Sequence, residues 1–513
     1  MLDWISSHVT LVFYLFLIYG VIVASWVILE NRTPQSTFAW LFLLLLFPVG
    51  GIFLYHFFGR GWRTFSKETL LARQALMGEE PEAVAQYLRR EQMLVQQIAQ
   101  RQPATYKRKL LHLVTKNASS VLTAHNEVVV LQDAQEKYPR LIADIKAATH
   151  SIHMAYYIWE EDPFTESLKT LLIQKAQAGV EVRILCDAYG LNVSRRYLNE
   201  MRSGGAQMYV YYNYLSPLRL HTVSYRNHRK IAVIDGTVGY VGGLNISQEH
   251  LDGGKHFAHW RDTHLRIEGE AVAALQAIFL TSWYNTTDER LSTDIYTKAP
   301  YQTWLDQRHT RVHALSEPLP AHAVADMIER YLPIHITVSG PDSQWQAIRQ
   351  LYFMMILSAE DHLYIQSPFF IPDESILEAL KAAALSGVDV RLMCASSGTT
   401  YSLPYWAANT YFADMAEAGV RIFLYQNGYF HSKTINVDSV LCSVGTANLD
   451  IRSFSINYEV NAVIYDEATA RKLTADFLDD QAECIEFVLQ EYKSRSFLVR
   501  VRDSIARLFS PLL

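Results

Sequence analysis

An internal duplication restricts this chain more than any other feature. The segment Ala178-Gly-Val-Glu-Val-Arg-Ile-Leu-Cys186 returns 208 residues later as Ser386-Gly-Val-Asp-Val-Arg-Leu-Met-Cys394. In both copies a stretch with helical spacing precedes it, Thr165 to Ala178 and Glu374 to Ser386. A glycine then closes the helix and an apolar, β-branched run follows, which predicts a buried strand. Upstream, Ser151 to Trp159 and His362 to Ile371 read as another matching pair of strands. Strands alternating with helices indicate an α/β class with a largely central sheet. A repeat of about 200 residues is too long for a solenoid. The expectation is two similar domains, 125–330 and 331–490, packed as a pseudo-twofold pair around a shared site.

The duplication becomes chemical further on. The first copy contains Arg226-Asn-His228-Arg-Lys230-Ile-Ala-Val-Ile-Asp235, then Gly242-Gly243-Leu-Asn245. The second contains His431-Ser-Lys433-Thr-Ile-Asn-Val-Asp438, then Gly445-Thr446-Ala-Asn448. His, Lys, Asp and Asn all recur at one offset, 203. On a strand, His and Lys two apart point to the same face, so an imidazole stands beside an ammonium able to hold a phosphate oxygen. The small residues after each Asp let backbone approach a ligand, and each Asn amide adds a donor. Two such half-sites facing each other surround a single tetrahedral anion, and one phosphodiester fills the constellation.

Competing chemistries are poorly supported. Lys+Arg 46 against Asp+Glu 52 leaves a net charge of −6, without the basic excess of a broad nucleic-acid surface. Cys186, Cys394, Cys442 and Cys484 are scattered and form no CxxC pair, so neither a disulfide framework nor a zinc site is expected. Neither a GxSxG elbow nor a phosphate-binding P-loop is present. His221, His250, His256 and His259 near the first motif read as loop or binding-surface histidines. No metal and no cofactor is expected.

The front of the chain has a different character. Trp4 to Leu29 is 26 residues without Asp, Glu, Lys or Arg, and Thr33 to Gly59 is 27 more. About 20 apolar residues span a bilayer core, so 1–60 is expected to form a two-helix transmembrane hairpin turning at Glu30-Asn31-Arg32-Thr33-Pro34. Arg60, Arg63, Lys67 and Arg73 follow the second run, whereas the turn has Arg32 alone. The positive-inside rule then places everything after Gly59 in the cytoplasm. Residues 61–124 read as a charged helical linker, with Lys107-Arg108-Lys109 near its end.

At the far end, 491–513, Phe497, Leu498, Val501, Ile505, Leu508, Phe509 and Leu512 fall within about a third of a helical wheel. Lys493, Arg495, Arg500, Arg502 and Arg507 lie outside that arc. The pattern suits a helix lying on anionic lipid or one docked on the body.

With its twin His-x-Lys-x4-Asp motifs, the chain resembles the phospholipase D superfamily. The contexts "RNHRKIAVIDG…VGGLNI" and "FHSKTINVD…VGTANLDIRSF", with the hairpin Asn31-Arg-Thr-Pro-Gln-Ser-Thr-Phe-Ala-Trp40, are similar to the bacterial cardiolipin synthases within it. The resemblance runs from the hairpin to about residue 490. It implies two phospholipase D-like domains in a multi-pass protein of the bacterial inner (cell) membrane. It also implies double displacement through a phosphatidyl-histidine, without cofactor or metal, His228 as nucleophile and His431 as acid/base. Lys230, Lys433, Asn245 and Asn448 would hold the non-bridging oxygens.

Asp235 and Asp438 belong to the catalytic motif, although their place at a strand end suits a brace. A separate carboxylate would orient each imidazole, and Asp262 and Glu459 are the candidates. The implied reaction joins two phosphatidylglycerols into cardiolipin and glycerol. Phosphatidylethanolamine remains open as one substrate, and hydrolysis of phospholipids to phosphatidic acid remains the alternative. The expected partners are phosphatidylglycerol, other anionic phospholipids and the membrane, not nucleic acid; a homo-oligomer is possible.

Overall fold

The computed structural model describes residues 14, 18–29, 34–47, 50–51, 54–55, 93–100, 107–116, 120–211, 225–292, 295–296, 300, 304, 306, 331–341, 343, 345–396 and 402–510. The chain divides into two units, Met1–Lys67 with Tyr212–Tyr225, and Glu68–Tyr211 with Arg226–Leu513.

In the first unit, 18–29 and Pro34–Leu46 are helical, and Trp26, Leu29, Phe38 and Leu45 are exposed. Among the described residues no helix is long and apolar enough to cross a membrane. Pro34–Leu46 has 13 residues, about 20 Å of rise, against a hydrocarbon core of about 30 Å. The expected hairpin therefore is not seen as two continuous spans. Much of it lies outside the described residues, as do its Arg32 and the basic residues Arg60, Arg63, Lys67 and Arg73.

The second unit realises the duplication. Its first half has strands β1 (Ser120–Leu131), β2 (Ser151–Tyr156), β3 (Glu181–Asp187), β4 (Gln207–Tyr211), β5 (Ile231–Ile234), β6 (Val238–Gly242) and β7 (His264–Gly269). The second half repeats them as β8 (Tyr331–Ser339), β9 (His362–Gln366), β10 (Asp389–Ala395), β11 (Arg421–Tyr425), β12 (Thr434–Val437), β13 (Leu441–Gly445) and β14 (Glu459–Ile464), with β15 (Cys484–Glu486) at the edge. The spatial order is β15-β11-β10-β9-β12-β13-β14-β8-β1-β7-β6-β5-β2-β3-β4. Apart from β15, the two halves mirror each other across the antiparallel pair β1–β8. In each half three parallel strands continue into antiparallel ones, so the sheet is mixed.

The repeated segment folds as its pattern predicts. Helices α1 (Pro163–Gln177) and α2 (Glu374–Leu385) start on Asp162 and Asp373, whose carboxylates accept backbone N–H groups, and β3 and β10 follow. The apolar run of β5 is buried on both sides. Ile231 and Val233 join a core shared with Leu332, Ile334, Val444 and Val460 of the other half, while Ala232 and Ile234 pack with residues of their own half. Alternation on one strand thus divides its side chains between the domain interior and the seam. Each such side chain contributes about 1.5–3 kcal/mol on burial, so the halves are joined by core packing.

Candidate active site

The two His-x-Lys pairs lie just before β5 and β12, in extended backbone that leaves its own sheet. The segment around His228 bonds across the seam: His228 N–H donates to Tyr458 O (3.0 Å), and Tyr458 N–H to Arg226 O (2.8 Å). The same exchange occurs on the other side. Tyr429–Phe430 pairs parallel with Trp260–Arg261, and His431 N–H donates to Arg261 O (2.8 Å). Each imidazole is therefore carried next to the segment that follows the other half's motif.

This exchange decides which carboxylate meets which ring. His228 Nδ1 donates to Glu459, 3.0 Å from both carboxylate oxygens, and His431 Nδ1 donates to Asp262 Oδ2 at 2.7 Å. Both carboxylates are fully buried, and both imidazoles keep a small opening, with side chains 11% exposed. An ionised carboxylate can only accept, so each neutral ring carries its proton on Nδ1 and its lone pair on Nε2. The sequence singled out both acids; their crossing lies in the third dimension.

The surroundings of the two pairs differ. Glu459 also accepts from Thr446 Oγ1 (2.5 Å) and Asn457 Nδ2 (3.3 Å). Burial pushes its carboxyl up, but His228, Lys230 and the Thr446 hydroxyl outweigh this and hold it below its ordinary value. Burial raises Asp262, and Lys433, the Thr263 N–H and His250 offset only part of that. His228 is lowered by burial against the pull of Glu459. His431 falls well below its ordinary value through burial, Lys433, Lys230 and His228. Each ring thus feels both lysines.

Lys230 and Lys433 are buried, and each Nζ donates back to the carbonyl of its own histidine. Burial lowers Lys230 to about 7 and Lys433 to about 8, although both buried acids pull upward. Two dry ammoniums beside two imidazoles make a site that favours an anion. Asn245 Oδ1 accepts from Ile158 N–H (3.0 Å), which sets Nδ2 as its outward donor. Asn448 is turned the other way: Nδ2 donates to Asp450 Oδ2 (3.0 Å), and Oδ1 has no partner among the described residues. The two amides are therefore not equivalent donors.

Several expectations are corrected here. Asp235 and Asp438 stand one strand length beyond the lysines, roughly 16 Å at 3.3 Å per residue. Asp235 accepts from the N–H groups of Thr149 (2.8 Å), His150 (2.8 Å) and Ser151 (2.9 Å). Asp438 accepts from Glu360, Asp361 and His362 N–H and from Lys107 Nζ at 3.2 Å. They brace the starts of β2 and β9, away from both imidazoles. Gly243 makes room for a protein side chain, not a ligand, since an added Cβ would sit 1.9 Å from Asp262 Oδ1. In the second half the shortened space is filled by Thr446, whose hydroxyl reaches Glu459.

Among the extra histidines, His256 is exposed, His259 is half-buried and His221 lies outside the described residues. His250 is no surface residue. It is buried edge-on to Trp260 (4.4 Å), with Nδ1 3.3 Å from the Tyr138 hydroxyl. Trp260, Tyr429 and Tyr157 wall the two imidazoles. These aromatics went unnoticed in the sequence, and Thr446 was read there only as one of the small residues after Asp438. Among the described residues no group of three His, Cys, Asp or Glu is arranged to hold a metal ion.

Known proteins resemble this chain in sequence and in fold. Residues 141–283 and 352–481 match the family model "Cardiolipin synthase, PLD-like domain", and 11–60 match "Phospholipase_D-nuclease N-terminal". The chain is 40% identical over 494 residues to a cardiolipin synthase of Geobacillus sp. (strain WCH70), covering 96% of this chain and 92% of that one. It is 36% identical over 514 residues to the major cardiolipin synthase ClsA of Bacillus subtilis (strain 168), covering 97% and 98%. In fold it is similar to the phosphatidylserine synthase of Haemophilus influenzae Rd KW20, with a TM-score of 0.57 at 14% identity, covering 79% of this chain and 100% of that one.

Proposed function

The chain belongs to the phospholipase D-like cardiolipin synthases, which are phosphatidyltransferases, and on that premise we propose that it converts two phosphatidylglycerols into cardiolipin and glycerol. The observation that carries the proposal is the crossed pair of dyads, His228–Glu459 and His431–Asp262, with Lys230 and Lys433 between them. His228 Nε2, unprotonated, attacks the phosphorus of the donor lipid, forming a P–N bond as the glycerol oxygen leaves with the Nε2 proton of His431, which enters the step as the imidazolium. The terminal hydroxyl of the acceptor then gives its proton to His431 and attacks the same phosphorus. The P–N bond breaks, and both rings return to their starting states.

The assignment of roles follows the asymmetry. Glu459, held ionised, supports charge on the attacking ring, while burial beside Lys433 and Lys230 lets His431 give up its proton readily. Lys230, Lys433 and Asn245 bind the non-bridging oxygens as charge builds on them. The uncharged runs 4–29 and 33–59 serve as a membrane hairpin, with the catalytic halves 125–330 and 331–490 on the cytoplasmic side and 61–124 as linker. The exposed Trp26, Leu29, Phe38 and Leu45 suit lipid contact.

Purified protein supplied with phosphatidylglycerol should release cardiolipin and glycerol in equal amounts. Phosphatidic acid as the main product would replace this reading with hydrolysis. His228→Ala and His431→Ala should each abolish turnover, and activity retained in both would refute the shared site.

A further inference from the structure

The C-terminal helix α4 (Phe497–Leu508) docks on α3 (Ser402–Glu417) with its polar side inward. Asp503 is fully buried and accepts from Asn409 Nδ2 (3.2 Å). Arg507 Nη1 donates to Asp414 Oδ2 (2.9 Å), and Tyr411 donates to Ser510 Oγ (3.0 Å). The Arg502 guanidinium lies 4.5 Å over the Trp406 ring. On the opposite side Phe497, Leu498 and Leu508 are 71%, 76% and 77% exposed, with Ile505 and Phe509 beside them. At 100° per residue this apolar arc centres about 150° away from Asp503 and Ala506, the docked positions. The fold thus spends the helix's polar groups on docking and turns its bulky apolar face outward.

We propose that this face is the surface by which the catalytic unit rests in the headgroup boundary of an anionic phospholipid bilayer. An apolar ridge on a single convex helix suits a deformable lipid boundary. Exposed Arg500 lies on the flank of this arc beside Phe497, whereas Lys493, just before the helix, is paired with Glu417. Anionic headgroups alongside the apolar face would neutralise Arg500. From residue 489 to 510 there are five basic residues against Glu491 and Asp503. The inference takes from the proposed reaction only that the substrates are anionic lipids.

The test uses the full-length protein in phosphatidylglycerol-containing vesicles, with Cys484, the one thiol that is not buried, replaced by Ser. A fluorophore on Leu498→Cys or Ile505→Cys should be quenched at least twofold by brominated acyl chains, and one on the exposed Arg471→Cys should not. Equal quenching at all three sites, or none at 498 and 505, overturns the proposal. Energy transfer between labels at 498 in detergent would overturn it in favour of a second copy. Phe497→Ser with Leu508→Ser should keep activity in mixed micelles and lose about tenfold on vesicles. Equal loss in both would assign the face to folding. A protein that is quenched as expected but makes no cardiolipin would overturn the proposed reaction and leave this surface standing.

Discussion

Glu459 lies 3.0 Å from Nδ1 of His228, 231 residues before it, while Asp262, only 34 residues after His228, bonds His431 in the other half. Each half of the duplication thus supplies the acid that orients the other half's imidazole. Neither half is a complete site, and the seam is part of the catalytic apparatus.

The crossing predicts which variant silences which ring. Glu459→Gln should remove the downfield Nδ1 proton resonance of His228 and leave that of His431, and Asp262→Asn should do the reverse. Each should lower kcat about 10²–10⁴-fold, as loss of an orienting carboxylate does elsewhere. Disappearance of the His228 signal in Asp262→Asn would refute the pairing.

The two motif aspartates should behave differently from these acids. Asp235→Asn loses charge-assisted bonds to three backbone N–H groups, about 1.5–3 kcal/mol each when intact, so its Tm should fall. Turnover per folded molecule should change less than tenfold, measured as kcat normalised to the folded fraction. A loss as large as that of His228→Ala would make Asp235 catalytic after all.

Gly243 and Thr446 occupy equivalent places with opposite tolerances. Gly243→Ala sets a methyl against the buried Asp262 carboxylate and should abolish activity, with a lower Tm. Thr446→Val keeps the shape and removes one hydrogen bond to Glu459, so kcat should fall about tenfold with little change in Tm.

Activity should follow a bell in pH. The reaction needs His228 neutral and His431 protonated, and both imidazoles are held below their ordinary 6.5, so the two limbs they set in kcat/KM should both lie below that value. A further, steeper fall should come between about 7 and 8, where Lys230 and then Lys433 lose their protons. Lys230→Arg, which keeps its charge, should move that limb up toward about 8 if it still turns over. An unchanged limb would mean that these lysines do not titrate in the reaction.

Stability carries the opposite sign. Between about 7 and 10.5 the unfolded chain keeps the Lys230 proton that the folded chain has lost, so stability from this group rises with pH across that window. Below about 7 the folded protein bears the full cost of a buried ammonium. Lys230→Met should therefore be inactive yet melt a few degrees higher at pH 7, with the gain shrinking toward pH 10.5.

The amino-acid sequence determined a good deal by itself. The repeat at 208 residues and the motifs at 203 pointed to two like halves, the α/β class, and the imidazole and ammonium groups of the site. These follow from local periodicity and residue type, which the fold does not rearrange. Which acid serves which imidazole was decided only in three dimensions, because the segments carrying His228 and His431 pair across the seam, and sequence distance carries no trace of that exchange. Only the tertiary structure decided the posture of the last helix as well. A wheel shows that Phe497, Leu498 and Leu508 share one side of it. The bonds of Asp503, Arg507 and Ser510 to α3 determine that this side faces out.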